Sequence, residues 1–256
     1  MKLCRNRGKQ NMSFGASAKR RLESLLNRCT RIFRESPDAA SAASAKQAFS
    51  SIYRHGTWGS DSASGDGYFS GSGSHDPEII RPYIAAVSQF LSRFPEKPSA
   101  VDLGCGDFNV GSKIRQFCSS YTACDIVDEL IERNKRVFAH HDVNFRVLDM
   151  IEDDLPRGRI IFLRQVLQHL SNSDISRVVT KVSASCEYLL VTEHLPARVD
   201  FIPNIDIERG HEIRLRHNSG VVLTSPPFEL QIIDEQVLCE VPEMGGIIRT
   251  TAYRLH

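Results

Sequence analysis

Ala100-Val101-Asp102-Leu103-Gly104-Cys105-Gly106-Asp107 decides the fold: a short apolar strand runs straight into a turn carrying two glycines. Glycines here let the backbone bend sharply and leave room for a ligand to lie on it. A dinucleotide fingerprint would need a third glycine at position 109, but Asn109 stands there and Gly111 comes too late. The turn therefore weakens pyrophosphate binding as an explanation.

Downstream, strand and helix patterns alternate. Strands are predicted over 121–124, 143–148, 160–163 and 188–191, with helices over 111–117, 126–137 and 173–184. Alternation of this kind predicts a parallel sheet with helices on both faces. The chain closes differently, with 236–241 and 247–255 flanking Pro242-Glu243-Met244-Gly245-Gly246, which reads as an antiparallel hairpin. The fold class expected is a Rossmann-like, doubly wound sheet of seven strands, mostly parallel with an antiparallel last strand, plus N-terminal helices.

Two further strand ends carry chemistry. Asp125 closes the second strand, 19 positions past Gly106, where a carboxylate accepts both hydroxyls of a ribose. Asp149-Met150 follows the third strand, suited to an adenine amine and an adenine face respectively. Each aspartate alone reads equally well as a helix cap; their order at successive strand ends points to nucleoside binding.

These features resemble class I S-adenosylmethionine-dependent methyltransferases. Phe162-Leu163-Arg164-Gln165-Val166-Leu167-Gln168-His169-Leu170 and the final hairpin fit that family, while Phe49-Ser50-Ser51-Ile52-Tyr53, Trp58-Gly59 and Ser70-Gly71-Ser72-Gly73-Ser74 resemble a less-characterised subgroup with an upstream S-G-x-G-S loop. The resemblance covers roughly residues 47–256. It implies S-adenosylmethionine as cofactor, with Asp102, Gly104, Cys105 and Gly106 at its methionine end, Asp125 on the ribose, and Ile126, Asp149 and Met150 around the adenine. Gln165 would lie below the transferable methyl, and Ser72 and Gly73 would close over the carboxylate.

One position departs from that subgroup, where an aspartate is expected after Arg164. Gln165 carries an amide, which is no general base at neutral pH. Candidate catalytic groups elsewhere are Glu193 and His194 after the fifth strand and His169 after the fourth. His169 reads equally well as a structural residue, and adjacent strand residues point to opposite faces, so at most one of Glu193 and His194 faces a site. Ser225-Pro226-Pro227-Phe228 imitates the tetrad of amino-group methyltransferases that act on nucleic acids, but it arrives some 60 positions too late in the chain.

The 256 residues are 41% hydrophobic and 25% charged, enough for a real core. No run reaches the ~18 apolar residues of a membrane helix. Seven cysteines, scattered without a C-x-x-C pair, fit neither a disulfide framework nor a zinc site, which predicts a reduced, cytoplasmic setting and no metal. Three regions are expected: a basic arm (1–37), a helical extension holding a Gly/Ser-rich loop with Trp58 (38–96), and the methyltransferase core (97–256). That loop reads as a linker by composition or, because of its aromatics, as a lid ordering over a ligand. The long segment 197–234 carries Arg209, Arg214 and Arg216, which suit an anionic acceptor or a solvated face.

Charge is unevenly spread. The arm holds ten Lys or Arg against two acids, and the remainder 22 against 29. The arm's amphipathic pattern over 18–36 fits docking on the body, a nucleic-acid or anionic surface contact, or a targeting segment. An acidic body favours a small-molecule acceptor; RNA or another polyanion is the alternative, and a non-catalytic S-adenosylmethionine-binding protein is a third. If the arm binds nucleic acid, affinity falls steeply with salt and disappears on deleting residues 1–37; a salt-insensitive interaction measured by fluorescence anisotropy removes that reading.

Overall fold

The computed structural model describes residues 45–59 and 68–256. The basic arm (1–37), with its amphipathic pattern over 18–36, residues 38–44 of the helical extension and residues 60–67 of the Gly/Ser loop lie outside the described residues.

Helices α1 (Ala45–Arg54), α2 (Ser72–His75) and α3 (Pro77–Leu91) precede the sheet. Helix α3 begins where Asp76 accepts a hydrogen bond from the Glu78 amide at 2.8 Å, with Pro77 in the first helical position. The strands are β1 (Ala100–Leu103), β2 (Tyr121–Asp125), β3 (Asn144–Val147), β4 (Ile160–Arg164), β5 (Tyr188–Pro196), β6 (Asp234–Glu243) and β7 (Gly246–Arg254). Between them lie α4 (Gly111–Ile114), α5 (Asp128–Val137) and α6 (Asn172–Ser183).

The seven strands form one sheet in the order β3-β2-β1-β4-β5-β7-β6. Strands β1 to β5 pair in parallel, while β7 runs antiparallel between β5 and β6. Because β1 is followed by β2 on one side and β4 on the other, the winding reverses beside it and opens a crevice at the strands' carboxyl ends.

Alternate strand residues feed two apolar layers. Leu103, Ile161, Leu163, Leu189 and Val191 pack with Ile175, Val178 and Val182 of α6. Ala100, Ile160, Phe162 and Leu190 pack with Tyr83, Val87 and Phe90 of α3. Burial on both faces explains why these strands read as continuous apolar runs. Among the described residues, no helix is long and apolar enough to cross a membrane.

Strand β5 extends well past its predicted end at Val191. Strand β7 pairs with it along its whole length, from Tyr188 opposite Arg254 to Pro196 opposite Gly246. Glu193 and His194 therefore lie inside a paired strand rather than on a loop beyond it.

Segment 197–233 contains one short 3-10 turn, Arg214–His217, and is anchored from within. The Arg214 guanidinium is fully buried and donates to the carbonyls of Leu167 (3.0 Å), Leu170 (2.7 Å) and Ile205 (3.1 Å) and to Asn172 Oδ1 (2.9 Å). Asn204, also buried, donates to the carbonyls of Val222 and Pro226, both at 2.9 Å. Replacing Arg214 by Leu strands those carbonyls without a donor. The expected loss is about 3 kcal/mol of stability, read by calorimetry as a melting temperature about 6–12 °C lower; an unchanged melt contradicts the anchoring role.

Candidate functional site

The glycine turn after β1 has no room for side chains. Gly104 and Gly106 both adopt positive φ, at 75° and 55°. A Cβ on Gly104 would lie 2.5 Å from Val166 Cγ2, and one on Gly106 would lie 2.4 Å from Ser70 Oγ. Helix α5 grips the turn from outside: Asn134 Nδ2 donates to the Gly106 carbonyl at 2.7 Å, and Arg133 Nη1 to that of Asp107 at 2.9 Å.

Asp125, at the end of β2, faces this turn. Its Oδ2 accepts the Gly106 amide at 3.0 Å and its Oδ1 the Val127 amide at 3.1 Å. Each carboxylate oxygen keeps a further acceptor position for a ligand hydroxyl. Burial raises its pKa to about 6, against the pull of the Val127, Gly106 and Ile126 amides. The next strand end is adjacent, since the Leu148 amide donates to the Asp125 carbonyl at 2.9 Å. There Asp149 Oδ1 accepts the Ile151 amide at 2.8 Å and Met150 packs half-buried on the core. Ile126 packs with Tyr53 and Val127 beside Trp58 and Tyr68.

A strap made of residues 68–75 roofs the turn. The Asp107 carboxylate, 3% exposed, accepts the Ser70 amide (2.9 Å), His75 Nε2 (2.6 Å) and the Asn109 amide (3.1 Å). Ser70 Oγ accepts the Asp107 amide in return at 2.8 Å and lies 3.0 Å from the Tyr53 hydroxyl. Phe69 stacks on His75 with ring centroids 4.4 Å apart. From the end of β4, Arg164 donates to the Gly73 carbonyl and, at 3.1 Å, to Ser74 Oγ, with its guanidinium 4.9 Å over the Tyr83 ring. Asn109 Nδ2 adds a bond to the Ser74 carbonyl at 2.7 Å. Asp107, Tyr53, Ser70 and Arg164 are structural members of the site that stand inside the quoted motifs without a role assigned to them there; the acid directly after Gly106 was the available signal.

Gln165 sits next to Gly73, whose added Cβ would lie 2.3 Å from the Gln165 amide oxygen. Its backbone is left-handed, φ 55°, and its amide donates to the Thr192 carbonyl at 2.7 Å. Such a conformation in a non-glycine residue is strained and marks positions whose side chain is aimed by its surroundings. Thus Gly104, Gly106, Asp125, Ile126, Ser72, Gly73 and Gln165 line one end of the sheet, with Asp149 and Met150 at the adjoining strand end. Asp102 and Cys105 are turned elsewhere. The Asp102 carboxylate accepts the Tyr121 hydroxyl at 3.0 Å, and burial raises its pKa to about 7 despite that bond and the Arg164 charge. The Cys105 thiol points to the Gly106 carbonyl, and burial pushes its pKa well up.

The three candidate catalytic groups are not brought together. His169 packs on Trp58 with the rings tilted by 40° (5.3 Å between centroids) and Nδ1 3.2 Å from the Glu212 carbonyl; burial lowers its pKa to about 4, which favours the neutral ring. Glu193, 3% exposed, lies beneath the 3-10 turn Leu167–His169, whose Leu167 and Gln168 amides face its carboxylate. Burial raises its pKa to about 8, opposed by the Arg214 charge and the Leu167 and Gln168 amides. His194 points the other way, its Nε2 2.9 Å from the Glu243 carbonyl.

The arginines of segment 197–234, which suited an anionic acceptor or a solvated face, have partners within the chain. Arg209 forms a two-bond pair with Asp174 (2.7 and 3.0 Å), Arg216 pairs with Glu212 at 3.0 Å, and Arg214 is the buried anchor described above. For Arg209 and Arg214 the local sequence hides this because the groups they bind lie outside it, Asp174 35 positions away and the Leu167 carbonyl 47; Arg216 and Glu212 form an exposed pair four positions apart. Likewise Phe228 of the Ser-Pro-Pro-Phe tetrad packs against the core layer containing Ile175, rather than standing after β4.

No family model matches the sequence, and no curated protein matches it. Solved structures do resemble the fold. The N-methyltransferase NodS from Bradyrhizobium japonicum WM9, in complex with S-adenosyl-L-homocysteine, is 12% identical over 70% of this chain and 87% of its own, with a TM-score of 0.52. Human N-acetylserotonin methyltransferase, in complex with S-adenosylmethionine, is 17% identical over 93% and 67%, with a TM-score of 0.54. Magnesium protoporphyrin IX methyltransferase ChlM from Synechocystis PCC 6803, with bound S-adenosylmethionine, is 14% identical over 84% and 100%, also with a TM-score of 0.54.

Glu193 also sets a pH dependence. An acid whose pKa is raised on folding leaves stability untouched below the ordinary carboxyl range; stability then falls as pH rises from that range towards about 8 and levels off above it. Glu193→Gln is expected to match the parent near pH 5 and exceed its stability at pH 9 in denaturant titrations; equal pH slopes contradict the raised pKa of the buried carboxyl. These likenesses, at TM-scores of 0.52–0.54, show the fold: the chain has the Rossmann-like fold of class I S-adenosylmethionine-dependent methyltransferases.

Proposed function

We propose that this protein is an S-adenosylmethionine-dependent methyltransferase acting on a small molecule, of the subgroup that carries an S-G-x-G-S segment ahead of the sheet. The observation that carries the reading is the pairing of Asp125 with the glycine turn. The carboxylate is fixed by two backbone amides, keeps an acceptor position on each oxygen, and faces a turn that tolerates no side chain.

These residues suit the cofactor. Asp125 would receive the ribose hydroxyls, and Ile126, Asp149 and Met150 would bound the adenine. Gly104 and Gly106 would accommodate the methionine portion beneath Ser72 and Gly73. When bound, S-adenosylmethionine supplies an electrophilic methyl on a sulfonium. The chain's own contribution is positioning and the exclusion of water by the strap, which needs no general base near the methyl. That assignment agrees with an amide at Gln165 and with His169 and His194 held against carbonyls. His169 and Trp58 then form an uncharged aromatic wall for the acceptor.

A small acceptor is supported by Arg214, buried with its donors on four acceptors, and Arg209, held by both oxygens of Asp174, which leave that loop little free positive charge for a polyanion. The neighbours named for N-acetylserotonin and for magnesium protoporphyrin IX carry small-molecule names as well.

The test is calorimetric titration with S-adenosyl-L-homocysteine. The parent chain binds, and Asp125→Ala loses about 10- to 100-fold in affinity, the worth of hydrogen bonds to a charged group. Because the Asp125 pKa is about 6, affinity also weakens as pH falls through that value. Undiminished binding by Asp125→Ala overturns the assignment of the site. Transfer of label from the cofactor into the small-molecule fraction of a cell extract separates catalysis from binding alone.

A further inference from the structure

A second pocket lies at the opposite end of the sheet, where β4 and β5 begin and the β6–β7 pair has its open end. Its volume is about 310 Å³. The floor is aromatic: Phe90, Phe94 and Tyr188 meet edge to face, with centroids 5.3–5.6 Å apart. Three guanidinium groups from different parts of the chain stand around it, those of Arg93, Arg159 and Arg254, and the lining includes one carboxylate, Asp234.

The arginines are held in place without being used up. Arg159 lies 4.5 Å over the Phe94 ring and donates Nε to Glu187 at 2.7 Å. Arg93 lies 6.0 Å over Phe90 and donates one Nη1 bond to Gln236 at 2.9 Å. Arg254 donates Nε to the His256 carbonyl at 3.0 Å. A guanidinium carries five N–H donors, so most of those at this rim remain available to a ligand. Stacking on a ring orients a guanidinium, and an oriented guanidinium recognises a carboxylate through two parallel bonds.

We propose that this pocket binds a small aromatic carboxylate, its ring on the Phe94–Tyr188 floor and its carboxylate on Arg93 and Arg254. The volume suits a single ring with a short acidic arm. Net positive charge at the rim selects an anion, and the floor distinguishes an aromatic anion from an inorganic one. The site is separate from the glycine turn and stands whether or not the chain transfers methyl groups.

Benzoate is the probe, titrated into the full chain by isotope-edited NMR, with inorganic phosphate and benzyl alcohol as comparison arms. Benzoate is expected to saturate in the millimolar range, shifting the signals of residues around Phe94, Tyr188 and Arg254. Phosphate and benzyl alcohol should each bind more than about tenfold more weakly. Arg93→Glu combined with Arg254→Glu should cost benzoate more than about tenfold. Asp234→Asn, which removes the opposing charge, should tighten it by about threefold, a gain that misfolding cannot produce. Asp125→Ala should leave benzoate affinity unchanged. Absence of saturable shifts, equal binding of phosphate, or indifference to both the arginine and Asp234 substitutions overturns the proposal.

Discussion

A single buried carboxylate ties the front of this molecule together. Asp107 follows directly on the glycine turn, and it draws Ser70, His75 and Asn109 onto one pair of oxygens. Burial pushes its pKa up, but the hydrogen bond and charge of His75 and the Asn109 and Ser70 amides outweigh that and hold it below the ordinary carboxylate value. Hydrogen bonds to a charged group contribute roughly 1.5–3 kcal/mol each, so the strap is secured to the turn rather than resting on it. Ser70 then sits against Gly106, and Gly73 against Gln165. The two glycines are where the roof and the sheet approach most closely.

That closeness shapes the chemistry the site can perform. The turn, Asp125 and the strap are cross-linked, because Asp125 bonds two backbone amides and the Ser70 and Asp107 amides each bond the other residue's side chain. A site of this kind works by holding reactants in one geometry. The strained backbone at Gln165 belongs to the same arrangement, placing a neutral amide rather than an acid beside the strap. The titratable groups nearby are held in their uncharged forms or turned to structural partners, as Asp102 is to Tyr121 and His169 to Trp58.

Much of the sheet could be read from the chain. The buried strands announce themselves as apolar runs between turn residues, and Asp125 stands out because its distance from Gly106 matches one strand–helix–strand unit. Elements set by distant partners were illegible. Nothing near Val191 says that β5 continues to Pro196, because the extension is dictated by pairing with β7, about 50 residues later. Arg214 looks like one of several loop arginines, yet it is fully buried, since the carbonyls it satisfies belong to the end of the β4 connection. Asp107 was in plain view beside the glycines, but its partners Ser70 and His75 lie 37 and 32 positions upstream, in a stretch whose composition suggests a linker.

The central claim is that the strap is fastened over the glycine turn by Asp107 before any ligand arrives. Hydrogen exchange of the Ser70 amide in the ligand-free chain tests it most directly. The account predicts strong protection of that amide, lost on Asp107→Asn while the core strands β1 and β4 stay protected. Exchange at the rate of an unstructured peptide in the unaltered chain would contradict it.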